Sequence, residues 1–263
     1  MPVPLTAMRR AANLAVNLDS PAPESHVMTL LRSALFFLWF ALVSVVLNIG
    51  FLPALVLPRG VALVGCRWWC EWTLWGLKVF AGLNYEVRGK IPAHGALVAA
   101  KHMSMWDTVA LFLLLDAPAV ILKRELFAVP FYGWYTKKIG MIAIDRGGHA
   151  SALRRMAAAS RAAIAGGRTL LIFPEGTRKK PGAAPDYKPG VAALYSQLGQ
   201  ECVPVALNSG LYWTGFIKKK GTIVIEFLPA IAPGLRSRDF MAALQSEIET
   251  ATSRLLTEGR RGR

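Results

Sequence analysis

The sequence predicts an α/β fold, in which a largely parallel β-sheet is flanked by helices and preceded by an N-terminal membrane-associated two-helix element. Three observations lead to this prediction. From residue 83 onward, short apolar segments of strand length alternate with helical segments of about 10 to 15 residues, the pattern of a parallel sheet covered on both faces. A long stretch without charged residues precedes them, and 54% of the 263 residues are hydrophobic.

The chain divides into three segments. Residues 1–27 mix Pro, Ala, Ser and a few charges without a lasting period, and we interpret them as a weakly ordered lead segment. Residues 28–82 form the membrane-anchoring two-helix element, and residues 83–263 form the α/β domain. The predicted strands of that domain are 84–88, 96–100, 119–122, 141–144, 169–173, 202–207 and 222–227, and its predicted helices are 106–115, 150–165, 190–198 and 239–256.

No charged residue occurs between residues 33 and 58, and most of this stretch is apolar. It is long enough to span or deeply enter a bilayer. A cleavable signal peptide does not fit, because the apolar run is longer than the core of such peptides, about 7 to 15 residues, and begins too far from the N-terminus. The stretch is therefore predicted to be an uncleaved anchor that Pro53 and Pro58 kink or end.

Residues 61–82 have a different pattern, in which Arg67, Glu71 and Lys78 lie on one narrow face of a helix. Tryptophans surround this polar stripe. Because tryptophan favours the headgroup level, the pattern indicates a helix lying in the membrane surface. The alternative is a buried helical hairpin packed on the α/β domain. The tryptophans are Trp68, Trp69, Trp72 and Trp75.

The formal net charge of +15 requires anionic partners. Nucleic acid is the less favoured partner, because the mean hydropathy of +0.37 is unusual for a nucleic-acid-binding protein and no zinc finger, RNP-type aromatic pair or basic heptad region occurs. A membrane surface together with a phosphorylated substrate explains charge and hydropathy jointly. The cysteines are odd in number and the four histidines lack ligand spacing, so neither a disulfide framework nor a metal site is predicted.

The first candidate for chemistry is a histidine at the end of a predicted strand, His102, followed by Asp107 in the first turn of a predicted helix. A neutral imidazole accepts a proton near neutral pH, and a carboxylate on its other nitrogen fixes the tautomer. No G-x-S-x-G nucleophile elbow occurs, so the hydroxyl to be activated is expected to belong to a substrate. The alternative is that Asp107 only stabilises the start of a helix.

A second strand ends in the same manner, since the apolar segment 169–173 continues directly into Pro174-Glu175-Gly176-Thr177-Arg178. The carboxyl ends of parallel strands meet at one edge of the sheet, so both groups of polar residues can share one crevice.

With these motifs the sequence resembles the glycerolipid acyltransferases, most closely the 1-acylglycerol-3-phosphate acyltransferases. The family's His-x4-Asp motif matches His102 and Asp107, and its Phe-Pro-Glu-Gly-Thr-Arg motif is present unchanged at 173–178. Segments 140–146 and 203–205 are similar to its second and fourth motifs, in the family's order. The resemblance spans residues 83 to 235 and departs at one position, where many members carry Asn and this chain has Lys101.

The resemblance implies direct acyl transfer. His102, oriented by Asp107, would take the proton of a lysophospholipid hydroxyl, and the resulting alkoxide would attack an acyl thioester of coenzyme A or acyl-carrier protein. No cofactor and no metal are expected, and backbone N–H groups of residues 103–105 are candidates for binding the oxyanion. The residues that the resemblance implies for substrate binding are Arg146, Glu175, Gly176, Thr177 and Arg178, and Lys123 joins them as a basic residue at the end of a predicted strand.

Within that set, Arg146 and Arg178 are expected to hold the acceptor's phosphate, with Lys123 as a third cation. Glu175 is expected either to bond the glycerol hydroxyl or to orient a cation. Gly176 would let the backbone approach the ligand closely.

The expected partners are the membrane surface, lysophosphatidic acid and the thioester carrier, and the expected location is the inner membrane with the α/β domain on its cytoplasmic side. Two alternatives remain. One is an acyltransferase of the same family that uses glycerol 3-phosphate or a lyso-aminolipid, and the other is a non-catalytic basic protein of the membrane surface.

Overall fold

A pair of packed helices precedes a seven-stranded sheet in the computed structural model, which describes residues 25–145 and 149–261. The helices are α1 (His26–Gly50), α2 (Arg59–Ala81), α3 (Met105–Leu114), α4 (Tyr132–Lys138), α5 (His149–Ala165), α6 (Gly190–Leu198) and α7 (Ser237–Arg261). The strands are β1 (Leu83–Arg88), β2 (Leu97–Ala100), β3 (Ala119–Lys123), β4 (Ile142–Ile144), β5 (Leu170–Ile172), β6 (Cys202–Leu207), β7 (Trp213–Thr214), β8 (Ile217–Lys218) and β9 (Gly221–Phe227).

The strand order of the sheet is β1-β9-β6-β2-β5-β3-β4. Its neighbours are parallel except β6 and β9, and β7 with β8 forms a separate antiparallel hairpin. The chain leaves β2 towards β3 on one side, and it leaves β5 towards β6 on the other. The segments after these two adjacent strands therefore diverge, which opens a crevice at the carboxyl edge of the sheet.

Strands β2, β5 and β6 are buried along their whole length, as continuous apolar segments covered on both faces should be. Alternate side chains of β2 point to opposite faces. Val98 lies in the core cluster that contains Leu77 of α2, whereas Leu97 lies in the cluster that contains Phe240 of α7. The membrane-anchoring element and α7 therefore cover opposite faces of the sheet.

The predicted fold class is confirmed. Each of the seven predicted strands is present, with ends shifted by at most one residue. The sequence did not reveal α4 or the β7–β8 hairpin. The final helix extends to Arg261, five residues beyond its predicted end, and ion pairs from Arg254 to Glu226 (2.6 Å) and Glu258 (3.0 Å) stabilise its last turns.

The structure supports the packed alternative for one face of α2, and the membrane-surface role of its other face stays a prediction. Helix α1 is the one helix in the described ranges that is long and apolar enough to cross a membrane, with a mean hydropathy of 2.2. Helix α2 buries Thr73 and Leu77 against the rest of the chain but leaves Trp68, Trp72 and Trp75 exposed. It is therefore packed on the domain along one face and available to a membrane surface along the other. As predicted, α1 ends before Pro53.

The β7–β8 hairpin is fastened to α1 through Lys218. Its backbone N–H donates to Ser33 Oγ at 2.9 Å, and its Nζ donates to the carbonyls of Gly215 (2.6 Å) and Phe216 (3.0 Å). Burial lowers the pKa of Lys218 to about 8. The ammonium lies 4.3 to 5.6 Å from the ring centroids of Phe36, Phe37 and Trp213.

Ser33→Ala should weaken this joint. The buried Lys218 N–H would lose its acceptor, which costs about 1–3 kcal/mol because no water replaces it. We expect the free energy of unfolding of the detergent-solubilised protein to fall by that amount in a denaturant titration. Thr214→Ala, an exposed hairpin substitution, is the control and should change it little. Equal stability of Ser33→Ala and the parent would show that the hydrogen bond does not hold the hairpin.

Candidate active site

The site begins where β2 ends and α3 starts. Four residues, 101–104, connect the two elements, and they place His102 Nδ1 at 3.0 Å from Asp107 Oδ2. Asp107 is the third residue of α3, and its carboxylate accepts the backbone N–H of the N-cap residue, Ser104, at 2.8 Å. The residue that caps the helix is therefore the residue that holds the histidine.

Asp107 is completely buried and is satisfied by hydrogen bonds from the turn around it. Besides His102 and Ser104 N, the Met103 N–H donates to Oδ2 at 2.6 Å, and Ser104 Oγ lies 3.2 Å from Oδ1. Behind Ser104, the Ser209 hydroxyl lies 2.9 Å away. Because the carboxylate can only accept, Nδ1 carries a proton and Nε2 is left with its lone pair, as a general base requires.

The same bonds correct the expectation for the oxyanion. The N–H groups of Met103 and Ser104 both point at Asp107 rather than into the crevice. The prediction that these two N–H groups bind the oxyanion is therefore wrong.

The motif at 173–178 fixes the histidine from the other side. The Phe173 ring stacks on the imidazole, with centroids 4.0 Å apart and planes at 22°. The Lys179 N–H donates to the His102 carbonyl at 2.8 Å, so the segment after β5 is tied to the segment after β2. The imidazole is 15% exposed, which leaves an edge accessible to a substrate.

Lys101, the residue that departs from the family pattern, lies in a buried ion-pair network. Its ammonium is 3.0 Å from Glu175 Oε1 and 2.6 Å from Glu249 Oε1, and Tyr187 OH donates to the same Glu249 oxygen at 3.0 Å. Lys101 and Glu175 are 3% and 1% exposed. Burial raises the pKa of Glu175 and the nearby ammonium opposes this rise. Of the two roles left open for Glu175, the contacts favour orienting a cation.

The other predicted binding residues lie at the same edge. Gly176 is half-buried with φ of 60°, a conformation that glycine adopts without strain, and Thr177 and Arg178 are exposed. Lys123 is exposed at the end of β3, and the register of β3 with β5 and of β5 with β2 puts it level with Lys101. Neighbouring strands lie about 4.8 Å apart, so the two backbones are roughly 10 Å apart.

Arg178 and Lys123 form no ion pair within residues 25–145 and 149–261, so both can bind an anion. Arg124, the residue after Lys123, is already paired, because its guanidinium lies 3.0 Å from the Asp145 carboxylate. Arg146, the remaining predicted phosphate ligand, lies outside the described residues. The substrate-binding roles stay predictions.

No group of three or more His, Cys, Asp or Glu side chains that could hold a metal occurs in the part of the chain that the structure describes. Among its thiols, Cys202 is fully buried, and burial raises its pKa to about 12. A thiol in this state is not a nucleophile at neutral pH. The reaction that His102 supports is therefore the activation of a hydroxyl that the substrate brings.

An apolar cavity of about 330 Å³ lies under α3 on the side of the anchoring element. Val109 and Phe112 of α3, two and five residues after Asp107, form one wall, and α1, α2, α4 and β3 form the others. Its size and lining suit a hydrocarbon chain rather than a polar ligand.

Sequence reasoning missed four residues of this arrangement. Phe173 was inside a recognised motif, but nothing in the motif indicates that its ring stacks on the histidine. Glu249, Tyr187 and Ser209 come from segments far away in the chain, and no spacing connects them with His102. The departure at Lys101 was the one available signal, because a buried lysine requires a carboxylate.

A largely parallel α/β sheet that carries a buried imidazole–aspartate couple, next to exposed cations and an apolar helix pair, fits a transferase that acts on a substrate hydroxyl. The family model described as Acyltransferase matches residues 83–208. The chain is 35% identical over 234 residues to a 1-acyl-sn-glycerol-3-phosphate acyltransferase of Pseudomonas aeruginosa, covering 87% of this chain and 88% of the relative. The chain therefore belongs to the acyltransferase family.

Two other proteins are also similar to this chain. It is 32% identical over 144 residues to a lyso-ornithine lipid O-acyltransferase of Pseudomonas aeruginosa, covering 54% of this chain and 52% of the relative. The crystal structure of the 1-acyl-sn-glycerophosphate acyltransferase PlsC from Thermotoga maritima has the same fold, with a TM-score of 0.68, 20% identity and coverage of 85% of this chain and 97% of that chain.

Lys101→Met should leave the buried Glu175 and the partly exposed Glu249 without their cation. Breaking a buried ion pair costs about 3–5 kcal/mol, and we expect a loss of this size in the free energy of unfolding at pH 8. The loss should shrink at acidic pH. Burial raises the pKa of Glu175 and Lys101 opposes this rise, so without Lys101 the pKa rises further, and protonation of Glu175 stabilises the folded variant more than the folded parent. Denaturant titrations at several pH values measure both.

The double variant Lys101→Met with Glu249→Gln is the matched control. It removes one uncompensated charge, so it should be more stable than Lys101→Met alone. Strictly additive effects of the two substitutions would contradict the network.

Proposed function

We propose that this acyltransferase moves an acyl chain from an acyl thioester to the free hydroxyl of 1-acylglycerol-3-phosphate, giving phosphatidic acid. The observation that carries the proposal is the His102–Asp107 couple, which lies at the same edge of the sheet as the exposed Arg178 and Lys123. The relatives named as 1-acyl-sn-glycerol-3-phosphate acyltransferases, which include one that matches over 87% of this chain, support this acceptor.

The geometry accounts for each proton. Nε2 of His102 takes the proton of the acceptor hydroxyl while the alkoxide oxygen forms a bond to the thioester carbonyl carbon. The buried Asp107 stabilises the imidazolium that results. When the tetrahedral intermediate collapses, the carbon–sulfur bond breaks, and the imidazolium returns its proton to the leaving thiolate. The base is then neutral again, and the ester and a free thiol are the products.

The acceptor's phosphate is assigned to the exposed cations of the carboxyl edge. A phosphomonoester carries close to two negative charges, and Arg178 can bind it through two N–H groups. Lys123 supplies a point charge two strands away. Arg146 belongs to this set by the motif that contains it. Glu175 does not face the phosphate in this assignment, because its carboxylate is buried against Lys101.

The apolar helix α1 supports a membrane setting. We assign the protein to the inner membrane through α1, with the sheet on the cytoplasmic side, where acyl-CoA and acyl-carrier protein are available as donors. The apolar cavity under α3 would take an acyl chain directly from the membrane, because α1 and α2 form part of the cavity wall. No cofactor takes part in the proposed reaction.

A second acceptor class has specific support from the lyso-ornithine lipid O-acyltransferase relative. That relative matches over a shorter span and at lower identity than the glycerol-phosphate enzyme, so we place it second. Incubating the protein with lysophosphatidic acid, lyso-ornithine lipid and glycerol 3-phosphate in separate reactions distinguishes the three acceptors.

His102→Ala should lower kcat/KM for transfer from an acyl thioester to lysophosphatidic acid by about 10²- to 10⁴-fold, because general base catalysis contributes that much. Transfer of labelled acyl groups in detergent or vesicles measures it. The control is His94→Ala, an exposed histidine away from the couple, which should transfer normally. Full activity of His102→Ala would refute the mechanism, and no transfer by the parent to any acceptor would refute the enzyme assignment.

Arg178→Ala should raise the KM for lysophosphatidic acid about 10- to 100-fold with a small effect on the KM of the donor. This range corresponds to one charge-assisted hydrogen-bonded contact of about 1.5–3 kcal/mol. Steady-state kinetics with each substrate varied in turn separate the two constants. Arg155→Ala, an exposed substitution on α5, is the matched control. An unchanged acceptor KM would remove Arg178 from the phosphate site.

A further inference from the structure

A second hollow, of about 740 Å³, lies beside α7 and is not used by the mechanism above. Lys101 and Met103, the two chain neighbours of His102, line it, so it opens next to the base. Its opposite wall is formed by α7, and residues 182–185, which follow the 173–178 motif, form a third side. This cleft therefore leads away from the reacting centre, separate from the apolar cavity under α3.

The lining of the cleft differs from that of the sites assigned above to the phosphate and to the acyl chain. Lys101 is the only cation among the described residues that line it, and two carboxylates already pair with Lys101, so a phosphate finds no free positive charge there. The lining includes apolar side chains such as Met241 and Leu256, but its wall of α7 also carries hydroxyl and amide groups, and the cleft is more polar than the cavity under α3. These groups belong to Gln245, Ser246, Thr250, Thr252 and Ser253.

Thr252 supplies a second indication of a polar ligand. It is 2% exposed, and its hydroxyl has no hydrogen-bond partner among the residues that the structure describes, although it lines the cleft. A buried hydroxyl left unpaired is costly unless a ligand or water satisfies it. The cleft thus fits a neutral, elongated ligand with several hydrogen-bonding groups.

The direction of α7 gives the ligand its orientation. Near its start, Phe240 stacks on Tyr195, whose hydroxyl bonds the Ala232 carbonyl, next to the bridge from Ile231 to the first residue of β6. About 14 Å further along the helix, Glu249 reaches Lys101 at the carboxyl edge. From Lys101, next to His102, the cleft therefore extends past Ser246 towards the amino edge of the sheet, on the face opposite to α1 and α2, and Thr252 lies beyond Glu249 in the other direction.

Building on the function proposed above, we propose that this cleft binds the pantetheine arm of the acyl thioester donor. The arm is long, narrow and uncharged, with two amides and a hydroxyl, and its sulfur end would lie beside His102. Its amides would bond the hydroxyl and carboxylate groups of α7. Coenzyme A and acyl-carrier protein share this arm, so the site serves either donor while the acyl chain enters the apolar cavity.

Ser246→Trp tests the assignment. Ser246 is exposed and lies one turn from Glu249 on the side away from His102, so a tryptophan there would obstruct the distal arm without reaching the sulfur end. We expect kcat/KM for acyl-CoA and for acyl-carrier protein to fall at least about tenfold through donor KM, because the ring would occupy the arm's space. The acyl thioester of N-acetylcysteamine, which lacks the distal arm, should react as with the parent.

Thr257→Trp, an exposed position of α7 outside the cleft, is the matched control and should affect no donor. Ala242→Trp, also exposed and lining the cleft, replaces Ser246→Trp if that variant does not fold. Unchanged kinetics with both carriers, a loss confined to one carrier, or an equal loss with the truncated thioester would each overturn the assignment. Absence of transfer by the parent from all three thioesters would instead overturn the proposed function itself.

Discussion

The buried carboxylate of Asp107 is the group on which the rest of the site depends. It satisfies two N–H groups of the turn between β2 and α3 and at the same time holds Nδ1 of His102. A fully buried charge is tolerated only when hydrogen bonds replace its water, and here the turn that needs the carboxylate supplies those bonds. The same carboxylate therefore caps α3, holds the turn in its conformation and fixes the tautomer of His102. Removing it would disturb all three.

Lys101, which directly follows β2, neutralises the charges of two carboxylates. Its ammonium joins Glu175, which follows β5, to Glu249, near the middle of α7. These segments meet only because β2 and β5 are neighbours whose continuations diverge. The final helix is thus part of the catalytic edge although it lies beyond the segment that the family model matches. In this chain a lysine in place of the family's usual asparagine makes that connection ionic.

The sequence predicted what is local. Apolar segments bounded by turn residues located all seven strands of the sheet. The residues that follow β2 and β5 located both halves of the crevice, because each strand and the turn after it are consecutive in the sequence. It did not predict Glu249 or Tyr187, since a charged residue on an amphipathic helix has the same pattern whether it faces water or a buried lysine. Nor could the parallel register that brings Lys123 level with Lys101 be obtained from spacing alone.

The apolar cavity and the polar cleft lie on opposite faces of the same sheet. The apolar cavity is on the face covered by α1 and α2, and the polar cleft is on the face covered by α7. An acyl thioester has an apolar chain on one side of its reacting carbonyl and a polar arm on the other. In the proposed assignment the carbonyl lies at the shared carboxyl edge, where His102 can reach it. A parallel sheet with a switch point supplies such an edge between two differently covered faces, so the division between membrane and solvent would continue into the active site.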